Sequence, residues 1–161
     1  MTLVFLLLAL AQPAAQPSVS PPGEDPVPPY TQSDANAGAR PVQDPALAAA
    51  FHGRAGIERI VNGLVDRNMA DLRISDIFKG QDLVRLRRTL SEQLCYLLVA
   101  GCTYSGRDMK SSHKDLGIQQ KDFNALVENL QAAMRAESVP FAAQNRLLAK
   151  LAPMHRDVIV R

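Results

Sequence analysis

Three histidines, two cysteines and sixteen carboxylates are the residues of this 161-residue chain whose types could do chemistry. His52, His113 and His155 form neither His-x-x-x-His nor His-Glu-x-x-His, the spacings that place two imidazoles on one helix face for zinc. Cys95 and Cys102 make no Cys-x-x-Cys pair, so a zinc knuckle is not indicated either. On one continuous helix their Cα atoms would stand about 10 Å apart, beyond disulfide reach. A bridge requires the helix to end between them, and two buried or partly buried thiols are the expectation. Hydrolase chemistry finds no support: there is no Gly-x-Ser-x-Gly, no phosphate-cradling glycine loop and no recognisable carboxylate pair. Asp122 and Glu128 read as exposed helix residues.

His113 closes the run Met109-Lys110-Ser111-Ser112-His113, inside a short polar segment between Gly101 and Gly117. Taken alone it is a surface histidine. A neutral imidazole is also the side chain that ligates a metal through one ring nitrogen while the other N–H donates to a carbonyl. Which of these it does depends on the elements around it.

Those elements are helical. Ile57, Ile60, Val61, Leu64, Val65 and Met69 follow the i, i+3, i+4, i+7 rule, as do Leu83, Leu86, Leu90, Leu94 and Leu97. A third stripe, Phe123 to Met134, ends at Ser138-Val139-Pro140. Pro140 then suits the first turn of a last helix with Leu147, Leu148, Leu151, Met154 and Val158 inward. Residues 72–80 and 101–117 read as loops with a turn or two of helix. No segment sustains a period of two, so the fold class is all-α.

The N-terminus is different in kind. Leu3 to Ala11 is an unbroken apolar run followed by small residues and proline, which makes 1–16 a signal peptide and the protein an exported, periplasmic one. No Lys or Arg precedes the run, and an uncleaved membrane anchor is the alternative. After cleavage no stable membrane domain is expected. Residues 17–44, rich in Pro, Ser, Gly and Ala, read as a disordered tether, and 45–161 as the one folded domain. The formal charge of +2 is dispersed without a basic stripe, so nucleic-acid binding is not expected.

The residues around His113 make a larger pattern. Phe51-His52-Gly53-Arg54-Ala55-Gly56-Ile57, Phe78, Tyr104-Ser105-Gly106, Met109-Lys110, His113, Ile118 and Asp122-Phe123 together resemble the group I truncated haemoglobins, over Phe51 to Arg161. The most specific part is Tyr-x-Gly-x-x-Met-Lys-x-x-His with Ile and Phe following. The resemblance implies a globin-like two-over-two helical sandwich holding haem b (iron protoporphyrin IX). It makes His113 the proximal iron ligand and Phe78 the aromatic wedged against the porphyrin. Met109, Ile118 and Phe123 would line the proximal side, and Leu86, Leu90 and Leu94 the distal side. Arg85, Arg88, Tyr104 and Lys110 are the candidates for the propionates.

The departures from the family pattern fall on the distal side. Val65 stands where a tyrosine usually hydrogen-bonds the bound gas, Leu64 where phenylalanine is common, and Leu90 where glutamine often sits. Gln93 is the nearest polar substitute, with Thr89 and Tyr96 behind it; it either swings into the pocket or rests at the stripe's edge. His52-Gly53 and Val99-Ala100-Gly101 replace two glycine pairs, so these loops are expected to turn differently. His52 is a possible sixth ligand.

The implied function is binding of a diatomic gas, oxygen, nitric oxide or carbon monoxide, with nitric oxide detoxification through an unidentified reductase as an enzymatic extension. Two other readings stay open: a six-coordinate haem module for electron transfer or sensing, and a haem-free helical domain.

Overall fold

Asp44 and Pro45 start the first α-helix: the Asp44 carboxylate accepts the Ala46 N–H at 3.0 Å, and proline suits the first turn of α1 (Pro45–Ala50). His52 then turns the chain with φ 59° into α2 (Gly53–Ala70). Only glycine fits at Gly56, where a Cβ would lie 2.1 Å from the Phe51 carbonyl oxygen. The computed structural model describes residues 20–159, so the expected signal peptide, 1–16, lies outside the described residues.

The remaining elements are α3 (Ser75–Phe78), α4 (Leu83–Leu97), α5 (Met109–His113), α6 (Gln120–Ala136), α7 (Phe141–Leu151) and α8 (His155–Val158). Asp82 caps α4 by accepting the Arg85 N–H at 2.9 Å, and Asp108 caps α5 through the Ser111 N–H at 2.9 Å. A 3-10 turn, Ala152–Met154, separates α7 from α8. Pro153 lies in it, and proline has no N–H to continue an α-helical ladder. The last helix is therefore broken where the apolar spacing alone reads straight through. No strand occurs among the described residues.

Helix α2 is the centre of the domain, packing against both α4 and α6. Its stripe of Ile57, Ile60, Val61, Leu64 and Val65 is buried as the spacing requires, and joins Phe51, Leu94, Leu130, Met134 and Leu147 in one core cluster. Each such side chain contributes about 1.5–3 kcal/mol relative to an exposed one.

Three sequence expectations are corrected here. Cys95 and Cys102 are joined in a disulfide rather than held as thiols. Helix α4 ends at Leu97, and Val99 reverses the chain with φ 58°. The Ala100 N–H returns to the Cys95 carbonyl at 2.9 Å, and the two cysteine Cα atoms come to 5.6 Å. The second correction concerns the two loops that lack glycine pairs. Without glycine pairs, the backbone still takes the left-handed region, at His52 and at Val99, and the side chains bear the strain.

Third, residues 20–44 do not behave as the disordered tether their composition suggests. Ala37 and Val42 are buried, at 0% and 6% exposure, and the Val42 N–H donates to the Leu97 carbonyl at 2.8 Å. A segment this poor in apolar residues has no core of its own. It orders by satisfying its polar groups on the surface of α4 and on residues 104–107.

Candidate functional site

Helix α5 is a single turn of five residues whose last member is His113. The ring Nδ1 lies 2.6 Å from the Met109 carbonyl oxygen. A carbonyl only accepts, so the proton sits on Nδ1 and Nε2 carries a free lone pair. Nε2 makes no hydrogen bond among the described residues. Burial pushes the imidazole below its ordinary pKa, and the Met109 carbonyl only partly opposes this. His113 is thus neutral at pH 7, fixed in one tautomer and half-buried, which is the state an imidazole needs to ligate iron.

The large apolar side chains expected to line a haem lie on α3, α4, α6 and the turn before α6. Leu86 and Leu90, one turn apart on α4, are half-buried and packed against the main core, while Leu94 is buried within it. Phe78, at the end of α3, and Phe123, on α6, are also half-buried. Phe123 meets the His155 ring edge-on, with centroids 6.4 Å apart. Ile118 is buried, at 8% exposure. An imidazole with a free nitrogen and incompletely covered leucines and phenylalanines fit a flat apolar macrocycle with a central metal.

Comparison with known proteins decides the family. Residues 49–160 match the Bacterial-like globin family. The chain belongs to that family, among the group 1 truncated haemoglobins. It is 31% identical over 87 residues to the group 1 truncated hemoglobin of Nostoc commune, covering 54% of this chain and 74% of that one. With the group 1 truncated hemoglobin of Mycolicibacterium paratuberculosis it shares 27% identity over 106 residues, covering 66% and 78%. In structure it is similar to the truncated hemoglobin of Tetrahymena pyriformis in its Fe(III) form, with a TM-score of 0.68 at 23% identity over 71% of this chain and 98% of that one. A Synechococcus 2/2 hemoglobin with covalently attached heme superposes with a TM-score of 0.66 at 21% identity, again over 71% and 98%. The fold is the two-over-two helical sandwich of truncated globins, and membership makes the chain a haem-binding globin.

The polar groups of this globin are arranged differently from the sequence expectation. Arg85 and Arg88 are committed to Glu24, whose carboxylate is 1% exposed, at 3.1 Å and 2.5 Å. Arg88 also reaches Glu92 at 2.9 Å. The buried Tyr104 donates its hydroxyl proton to the Arg107 carbonyl at 2.9 Å, which removes it as a donor to a propionate. Burial raises its pKa well above the usual phenol range. Met109 is buried in a second cluster with Ala37, Leu97, Tyr104 and Met154. Lys110 is exposed and forms no ion pair among the described residues, so of the four candidates it alone keeps its charge free.

Two of the three distal substitutes, Gln93 and Thr89, are likewise committed elsewhere. Gln93, 5% exposed, donates from Nε2 to the Ala37 carbonyl at 2.9 Å. The Thr89 hydroxyl donates back to the Arg85 carbonyl at 2.9 Å. His52 Nε2 lies 2.8 Å from the Glu137 carbonyl oxygen on the exposed surface, bound there rather than free as a sixth ligand. Asp122 is buried, not exposed, and accepts the Gln119 N–H at 2.9 Å to start α6, whereas Glu128 is exposed and paired with Arg73. Glu24 and Asp34 are the residues sequence reasoning missed. Their partners lie 61 to 70 residues away, and a carboxylate in a proline-rich stretch carries no spacing signal that points to them.

Proposed function

We propose that this globin binds haem b through His113 and uses it to bind a diatomic gas, with nitric oxide or carbon monoxide held in preference to oxygen. The single observation that carries the reading is the Met109 carbonyl on His113 Nδ1, which leaves Nε2 unprotonated. A bound haem, held by His113, would supply the iron that takes up the gas. The chain's own residues do the rest. Met109 holds the proton of His113 at Nδ1 and sets the ring's orientation. Phe78, Ile118 and Phe123 together with Leu86, Leu90 and Leu94 exclude water from both faces. Lys110 pairs with a propionate.

Selectivity follows from the side opposite His113. Val65 and Leu64 are buried aliphatic residues, and Gln93 and Thr89 are bonded elsewhere. A polar donor favours oxygen by about 1.5–3 kcal/mol, the range for hydrogen bonds to charged groups. Oxygen therefore leaves quickly, while nitric oxide and carbon monoxide depend less on such help. Oxidation of nitric oxide to nitrate by dioxygen, with an unidentified reductase returning the one electron the iron loses, is the catalytic extension of the same site. Export to an oxidising compartment is part of the proposal, and the Cys95–Cys102 disulfide supports it.

The test is optical. The chain reconstituted with haemin is expected to show a Soret band that His113→Ala abolishes and added imidazole restores. Its ligand-free ferrous spectrum is expected to be five-coordinate. No Soret band in the wild type, or sharp low-spin bands without added ligand, overturns the reading.

A further inference from the structure

We propose that residues 24–42 form a clamp that positions helix α5, with Asp34 the residue that fixes the loop feeding His113. The inference rests on His113 as the haem ligand, and it concerns how that ligand is held. A helix of five residues cannot hold itself, because nucleation costs more than one turn of hydrogen bonds returns. Within the helical domain α5 packs on α8. Met109 also meets Gln93 Nε2 of α4 at 3.3 Å, and further support comes from the N-terminal segment.

Three consecutive residues ahead of α5 are bonded to that segment. The Tyr104 N–H donates to Asp34 Oδ1 at 2.6 Å, the Tyr30 hydroxyl to the Ser105 carbonyl at 2.7 Å, and Asn36 Nδ2 to the Gly106 carbonyl at 3.2 Å. Arg107, the next residue, lies over the Tyr30 ring 5.4 Å from its centroid. Packing then continues into the helix. Ala37, with no exposed surface, shares a cluster with Met109 and Met154. Gly38, at φ 83°, lies so close that a Cβ would stand 3.0 Å from both Met109 Cγ and Met154 Sδ. Met109 is also the residue whose carbonyl holds His113. The segment thus touches the residue that orients the ligand, with nothing between. Its far end is latched by Glu24 between Arg85 and Arg88, and its near end by Val42 on Leu97.

The experiment uses the full haem-loaded chain and Asp34→Ala, with Asp34→Asn as the conservative variant that keeps an acceptor for the Tyr104 N–H. Two readouts are taken: the ferrous iron–histidine stretching band in resonance Raman, and amide hydrogen exchange of residues 104–113. Asp34→Ala is expected to broaden and lower the band and to speed exchange by about tenfold, equivalent to 1.4 kcal/mol of lost anchoring. Asp34→Asn is expected to restore both. A band and exchange rates in Asp34→Ala equal to wild type, or no rescue by Asp34→Asn, overturn the clamp. Should Asp34→Ala fail to fold, Tyr30→Phe removes one hydroxyl and no packing, and unchanged exchange there overturns it equally. A wild type without an iron–histidine band refutes His113 as ligand instead, and the exchange data still decide whether α5 is clamped.

Discussion

Gln93 donates its side-chain N–H to the Ala37 carbonyl at 2.9 Å, a bond buried between α4 and the N-terminal segment. The amide is therefore not available to a bound gas. Gln93→Leu is expected to leave the Fe–CO stretching frequency of the carbonyl complex unchanged. It should lower stability by about 1–3 kcal/mol, because the Ala37 carbonyl is left buried without a donor. Urea denaturation measures the second effect. A shifted Fe–CO band would return Gln93 to the distal pocket.

Leu90 is half-buried one turn from Leu86, and glutamine matches its length closely. Leu90→Gln is expected to slow oxygen release about tenfold or more, since a new donor contributes at least 1.4 kcal/mol in a dry pocket. Stopped-flow displacement of oxygen by carbon monoxide measures it. An unchanged rate would place Leu90 away from the gas.

The turn at Val99 holds a β-branched residue at φ 58°, closed by the Cys95–Cys102 bond. Val99 is exposed, so its side chain contributes little packing in return. Val99→Gly is expected to stabilise by about 1 kcal/mol by relieving the left-handed strain. Cys102→Ala should destabilise by about 2 kcal/mol, the low end for a disulfide that closes a short loop. Thermal melts of the two variants are expected to move in opposite directions, and a melt lowered by Val99→Gly would contradict the strain.

Acid should loosen the clamp. Hydrogen bonds from Arg88 hold the Glu24 carboxyl below its ordinary 4.5 against the opposing effect of burial. The charges of Arg88 and Arg85 lower it further, and Asp82 works the other way. A depressed folded pKa means that docking strength is fully present above the ordinary value and is lost as pH falls through the lower one. Amide exchange of residues 24–42, corrected for intrinsic rates, is expected to rise between about pH 5 and about pH 3. Glu24→Gln should show weaker protection at neutral pH and a flatter acid dependence. Equal acid profiles would assign the loosening to other carboxylates of the segment.

Much of the fold was legible from spacing. The stripes at Ile57–Met69, Leu83–Leu97 and Phe123–Met134 became α2, α4 and α6, because burial of one face is a local periodic property of the chain. The short helix that carries His113 matched the polar segment between glycines. The errors share a cause. The disulfide depended on where α4 stops, and that stop is set by a strained valine whose type argues against a turn. Arg85, Arg88 and Tyr104 were expected at the haem propionates, and Gln93 in the distal pocket or at the stripe's edge. Their partners are Glu24, Arg107 and Ala37; Arg107 is three residues from Tyr104, while Glu24 and Ala37 lie more than fifty residues from theirs, and hydrogen bonding across that span leaves no periodic trace.

By itself, then, the sequence determined an all-α globin, since helix periodicity and residue type are carried by the chain's own order. Only the tertiary structure decided which nitrogen of His113 carries the proton. It also decided that the proline-rich segment is part of the domain. Both depend on groups brought together by folding: the Met109 carbonyl one turn back on a helix that packing must hold, and a carboxylate at Glu24 whose arginines lie some sixty residues away.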